Sequence, residues 1–137
     1  MNCPLCVEDE KQIIWRNDFL RIILVADNNY PGYVQLVTKE HIKELTDLDF
    51  AGANEVFAIL FKVEGVLRKL YYPDKVNIAS LGNMVPHLHW HIIPRYVNDR
   101  HFPNPIWGEV TNPSYVPSGR VTLLEQKLIS EIKQSLC

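Results

Sequence analysis

Apolar and polar positions along the chain fall into a few distinct periods. Ile13 to Trp15 and Phe19 to Val25 are short β-favouring runs on either side of Asn17-Asp18, the pattern of a hairpin. Asp27-Asn28-Asn29-Tyr30-Pro31-Gly32 collects residues whose dihedral preferences suit a tight reversal, and Tyr33 to Thr38 follows as another strand. The period then changes. Ala53, Val56, Phe57, Leu60, Val63, Leu67 and Leu70 recur at spacings of three and four, the stripe of a long amphipathic helix. Asn54, Glu55, Lys62, Arg68 and Lys69 lie on its opposite side. Thr46 with Asp49 supplies a start signal for this helix, and Pro73 ends it. Val76 to Leu81 and His87 to Ile93 read as two further strands, separated by Gly82-Asn83.

Residues 94–119 carry Pro94, Pro103, Pro105, Pro113 and Pro117 and little periodicity, so they read as an irregular surface excursion. Thr122 with Glu125 matches a capping box for a C-terminal helix over about 122–136, with Leu124, Leu128, Ile132 and Leu136 on its buried side. No repeat or linker divides the chain, so 1–137 is expected to be one domain. Strands, a helix and strands again predict an α+β fold: an antiparallel sheet of about five strands with one long helix and a C-terminal helix.

Composition narrows the function classes. A chain of 137 residues has room for one core, and 47% hydrophobic with 22% charged residues is ordinary for a compact domain. A net charge of −2 gives no electrostatic case for nucleic acid or a membrane surface. The richest apolar run, Val56 to Phe61, is too short to span a bilayer and stops at Lys62. The first residues show neither the basic nor the apolar segment of a secretory signal. Three cysteines are an odd set for a disulfide framework, so a reducing cytoplasm is the expected compartment. Cys137 is expected to be a free terminal thiol.

The most informative segment is Pro86-His87-Leu88-His89-Trp90-His91-Ile92-Ile93-Pro94. Strict alternation puts His87, His89 and His91 on one face of a strand and Leu88, Trp90 and Ile92 on the other, toward a core. One exposed strand histidine needs no task, but three in register point to chemistry. A zinc-dependent hydrolase is one reading. At about 3.4 Å per residue His87 and His91 are ~13 Å apart, so a single metal does not readily take all three rings. Covalent catalysis is another reading. Imidazole is a good nucleophile near neutral pH, phosphorus is a suitable target, and the N–P bond it forms is labile to water. Flanking histidines can orient the attacking ring and stabilise charge on phosphate oxygens.

His-φ-His-φ-His-φ-φ, with φ apolar, resembles the motif of the histidine triad (HIT) family, and all four apolar positions are filled. The likeness continues through Gly82-Asn83-Met84-Val85-Pro86-His87, the Pro31-Gly32 turn, Val34 to Val37 and Lys39-Glu40-His41, and begins at Cys3-Pro4-Leu5-Cys6. It covers roughly residues 3–96. Arg100 to Trp107 resembles a bacterial subgroup. The resemblance implies a nucleotidyl hydrolase or transferase acting on dinucleoside polyphosphates, nucleoside phosphoramidates or related purine nucleotides, without an organic cofactor. It implies that His89 attacks the α-phosphorus, that His91 contacts the phosphate and that His87 helps fix the cluster. Asn83 stands at the family's glutamine position, Asn77 near its phosphate-contacting polar residue, and Asp27 near the acidic residue that binds ribose. Met84 stands where many members carry Ser or Thr, and Tyr33 where a histidine often follows Pro-Gly. Trp107 is a candidate for contact with the leaving group, set against an indole that merely packs on its own subunit. The resemblance also implies a homodimer whose two sheets join. A nucleotide-binding protein with little turnover is the remaining alternative.

Cys3-x-x-Cys6 on its own is a weak signal, and no strand precedes it as in a thioredoxin-like redox unit. Relatives with this pair use histidines at the positions of His41 and His87 as well. The resemblance therefore implies a structural zinc held by Cys3, Cys6, His41 and His87.

Overall fold

The computed structural model describes residues 2–136, so Cys137 lies outside the described residues. Strands β1 (Ile13–Arg16) and β2 (Leu20–Leu24) form the expected hairpin. Asn17 closes it, its Oδ1 accepting from the N–H groups of Phe19 at 2.8 Å and Leu20 at 2.7 Å. β3 (Val34–Thr38) pairs with β2 after a turn at Gly32. That glycine has φ +87°, and a Cβ there would meet the Tyr71 ring at 2.8 Å, so both backbone and space demand glycine. Helix α1 (Phe50–Tyr71) then crosses the sheet and leads into β4 (Lys75–Ala79) and β5 (His89–Arg95). The sheet is antiparallel throughout, in the order β1-β2-β3-β5-β4. The histidine strand is thus an interior strand with every residue buried.

One face of the sheet carries the main core. Leu20, Ile22, Leu36, Trp90 and Ile92 meet Val56, Ile59, Leu60, Val63 and Leu67 of α1, with Leu128 and Ile132 of the C-terminal helix. Burying such side chains contributes about 1.5–3 kcal/mol each. The other face carries the histidines and a smaller cluster of Tyr30, Tyr33 and Ile93, covered by Val25 and Ile106. Residues 96–118 contain no helix or strand, as their proline content suggests. Helix α2 (Gly119–Thr122) and α3 (Glu125–Ser135) end the described chain. Among the described residues no helix is long and apolar enough to cross a membrane.

Four local expectations are corrected. Thr46 does not start the long helix: it sits in a single 3-10 turn, Leu45–Asp47, closed by reciprocal bonds of Glu44 and Asp47. Asp49 caps α1, accepting from Gly52 N at 2.7 Å. Phe57 leaves the buried stripe and is 71% exposed, because the packed face turns toward Ile59 and Val66, which are buried in its place. Thr122 bonds back to Gly119 O within α2 instead of capping, and α3 starts after Leu124. Pro94 lies inside β5 and His87 just before it. The β3 ladder has stopped at Val34–Ile92 while β4 continues to Lys75–Arg95, so Pro94 has a strand neighbour on one side only.

Candidate active site and metal centre

Register assembles the histidine face. Val37 is opposite His89, Gln35 is opposite His91, and Ile23 is opposite Gln35, so Ile23, Gln35, His91 and Ala79 form a row across four strands. His89 and His91 are each 7% exposed, with ring centroids 4.9 Å apart. The Nδ1–H of His89 donates to the carbonyl of His87 at 2.5 Å. A carbonyl can only accept, so this bond fixes the tautomer and leaves the Nε2 lone pair free. Nε2 has no partner among the described residues.

His91 is held differently. Its Nδ1 is 2.6 Å from the Tyr33 hydroxyl and 3.3 Å from Gln35 Nε2. An amide nitrogen can only donate, which makes Nδ1 the acceptor and leaves the proton on Nε2. Burial, and then His89 beside it, push the His91 pKa down to about 4, so the ring is neutral at pH 7. Burial also raises the Tyr33 pKa, which keeps that hydroxyl a donor. Trp107 stands over the pair, its ring 4.8 Å from His91 in an edge-to-face arrangement. Tyr33 and Gln35 went unrecognised as site residues in the sequence. The alternation of Tyr33, just before β3, with Gln35, opposite His91, is the signal that points to them.

His87 faces away from this pair. Its Nε2–H donates to Thr38 O at 2.7 Å, and its Nδ1 is 3.4 Å from Cys3 Sγ and 3.6 Å from Cys6 Sγ. His41 Nδ1 is 3.2 Å from Cys6 Sγ. One donor atom from each of Cys3, Cys6, His41 and His87 lies within 4.8 Å of all the others. A tetrahedral ion with bonds of about 2.0–2.3 Å needs donors roughly 3.3–3.8 Å apart, so these four residues can hold a metal. The Thr38 carbonyl supplies the outer hydrogen bond that orients a ligating imidazole. Burial lowers the His87 pKa, which favours the neutral ring a metal requires.

The remaining candidates are not gathered at the rings. Asn77 lies on the histidine side of β4, but its Oδ1 accepts from Arg95 Nη1 at 2.7 Å. Asp27 is half-buried in the β2–β3 turn, where its Oδ1 accepts from Asn29 N at 2.9 Å. It borders a cleft of roughly 340 Å³ that Gly32, Tyr71 and Thr122 also line. Asn83 is exposed in the loop before β5 and makes no side-chain hydrogen bond among the described residues.

The chain is similar over most of its length to a crystal structure of a histidine triad protein from Bradyrhizobium japonicum. The two share 30% identity and a TM-score of 0.73, over 93% of each chain. Among curated proteins it is 24% identical over 123 residues to an AP-4-A phosphorylase of Mycobacterium tuberculosis, covering 85% of this chain and 63% of that protein. It is 28% identical over 92 residues to a bis(5'-adenosyl)-triphosphatase of Saccharomyces cerevisiae, covering 63% of this chain and 45% of that one. The chain thus spans about half to two thirds of the length of these two curated relatives. The HIT domain model matches residues 7–98, which contain the whole sheet and both histidine clusters apart from Cys3 and Cys6, and the chain belongs to the HIT domain family.

Proposed function

We propose that this chain is a nucleotidyl hydrolase or transferase acting at the α-phosphate of purine nucleotides, with His89 as the nucleophile. The observation that carries the reading is the bond from His89 Nδ1–H to the His87 carbonyl, which in the neutral ring puts the lone pair on Nε2. In the first step the Nε2 lone pair forms a bond to the α-phosphorus, and the bond from phosphorus to the leaving group breaks. The leaving group departs with its electron pair and takes up a proton. In the second step water, or another acceptor, attacks the same phosphorus and gives up a proton to solvent, which balances the one the leaving group took up, and the N–P bond returns its electron pair to Nε2. The Nε2–H of neutral His91 donates to a phosphate oxygen, where negative charge builds in both steps. Substrates are dinucleoside polyphosphates or nucleoside phosphoramidates. The two curated relatives, named for dinucleoside polyphosphate chemistry, support that class.

The sugar and base lie along the row of Ile23, Gln35 and His91, and Asp27, in the turn that follows β2, is the carboxylate offered to the ribose hydroxyls. Trp107 meets the leaving group, and Asn83 lies on the approach to the phosphate. Zinc is the metal suited to the Cys3, Cys6, His41 and His87 set, because two thiolates and two imidazoles in a closed tetrahedron are its preferred structural ligands. Bound there, it cross-links the N-terminal segment to the sheet. A catalytic metal shared by the three histidines fits poorly, since the His87 ring turns toward the cysteines and His89 spends Nδ1 on a backbone carbonyl. The protein acts as a homodimer in this reading, supported by the uncovered aromatic side chains of α1.

Incubation with an α-labelled substrate, quenched in alkaline denaturant because N–P bonds hydrolyse in acid, tests the mechanism. Wild-type protein should trap labelled nucleotide on a histidine, and His89→Asn should trap none, with turnover reduced by about 10³-fold or more and AMP affinity largely kept. Turnover by His89→Asn at the wild-type rate would overturn the mechanism. Nucleotide binding with no trapped label in wild-type protein would assign the chain a binding role.

A further inference from the structure

Beyond β5 the chain runs without regular structure to residue 118, yet its first part is fixed by two buried charges. The side chains of Arg95 and Asp99 are 2% and 0% exposed. Arg95 Nε and Nη2 donate to the two oxygens of Asp99 at 2.7 and 3.0 Å. The guanidinium also donates to Asn77 Oδ1 at 2.7 Å and to Asn104 O at 2.8 Å. Its faces are covered by the rings of Tyr30 and Phe102, 5.5 and 5.7 Å away. Asp99 in turn accepts from the backbone N–H groups of Tyr96, His101 and Phe102. These bonds satisfy both charges, which a buried pair requires if it is not to destabilise the fold.

Such a pair could serve the fold alone. What it holds argues for more. The segment it organises ends in Ile106, packed on the cluster of Tyr30, Tyr33 and Ile93, and in Trp107, packed edge-on against His91. The same guanidinium engages the oxygen of Asn77, so the end that Asn77 offers to a ligand is its amide N–H2. Trp107 and Asn77 border one open cleft of about 580 Å³ beside Ala79, the strand partner of His91. An aromatic face against His91 and a hydrogen-bond donor on the neighbouring row of the same sheet face are thereby set at fixed places along one cleft.

We infer that Arg95 and Asp99 are positioning residues that set which leaving group the histidine site accepts, through Trp107 and the amide of Asn77. This rests on the reading of His89 as nucleophile. The leaving groups favoured are flat amines or alcohols that stack on an indole, the departing nitrogen or oxygen accepting from the amide of Asn77. A pair this rigid discriminates because a misplaced indole loses its contact with the leaving group while the phosphate contacts of His91 remain.

The test compares kcat/KM for adenosine 5'-phosphoramidate, which releases ammonia, with that for its tryptamine-substituted counterpart, which releases an indole amine. Asp99→Asn and Arg95→Lys should each lower the tryptamine-to-ammonia ratio by about 10-fold, while the ammonia substrate stays within about 3-fold of wild type. Trp107→Ala should lower the ratio similarly, and Asp99→Asn in that background should lower it no further, since both act through one contact. An unchanged ratio, an equal loss on both substrates, or additive effects in the double variant would overturn the inference. Failure of both Asp99→Asn and Arg95→Lys to fold would overturn it too, by assigning the pair to stability alone. Wild-type protein that traps no nucleotidyl-histidine overturns the nucleophile reading itself. Active protein with an unmoved ratio overturns only the positioning role.

Discussion

His91 shows how a single ring is tuned by its neighbours. It loses water on burial and gains two donors at Nδ1, so the neutral tautomer with Nε2–H is favoured in the fold. With its pKa depressed to about 4, the unfolded chain takes up a proton here that the folded chain does not, between about pH 6.5 and 4. Folding stability from this group is therefore complete above pH 6.5 and is lost as pH falls toward 4, by on the order of 2–3 kcal/mol. Denaturant titrations across that range should show a smaller decline in His91→Asn than in wild type. Equal declines would mean that His91 titrates alike in both states. Tyr33 is the residue whose role the sequence hid. It stands where relatives often carry histidine, and its hydroxyl meets His91 Nδ1 instead, a contact 58 residues away in sequence that no local pattern encodes.

At the scale of elements, strands were legible because alternation is short-ranged, and boundaries were less so because caps depend on which side chain reaches which N–H. Thr46 and Thr122 both stand at plausible starts, yet Asp49 caps α1 and α3 begins without a side-chain cap. The helix stripe was also read too broadly. Phe50, Phe57 and Phe61 recur on one side of α1 and are 90%, 71% and 72% exposed, a run that a lone domain does not bury. β4 beside them is an edge strand of the sheet, with Ile78 also exposed. A second copy of the chain would cover both. Phe57→Glu combined with Phe61→Glu should weaken self-association by at least about 10-fold in sedimentation equilibrium, while unfolding free energy changes by less than about 1 kcal/mol. Unaltered association would move the interface off this helix.

For the whole molecule, the family resemblance made the sheet, the long helix and the histidine strand readable, while the destination of each side chain was not. The three histidines share a motif but divide between two centres: His89 and His91 face the open side, and His87 joins Cys3, Cys6 and His41. Asn77 was readable as a polar residue near the site. Its bond to Arg95 was not, because it depends on a loop doubling back from residue 99. The cysteine cluster joins the first residues to the loop after β3 and to the start of β5, so metal there would tie the ends of the domain's construction together. Protein purified without chelators should contain about one zinc per chain, and Cys6→Ser should lose it and melt at lower temperature. Metal analysis finding none in the wild-type protein would remove zinc from the account.

One feature of His87 bears on how such a protein can change over generations. His89 bonds the main-chain oxygen of His87, whereas the thiol cluster meets the His87 ring. With His89 as the proposed nucleophile, catalysis asks for a backbone path at this position, and the imidazole answers to the cysteines and to the Thr38 carbonyl. A lineage that discards Cys3 and Cys6 would hold histidine at 87 only through the Thr38 carbonyl, and the first letter of its triad would become freer to drift while the backbone support of His89 persists.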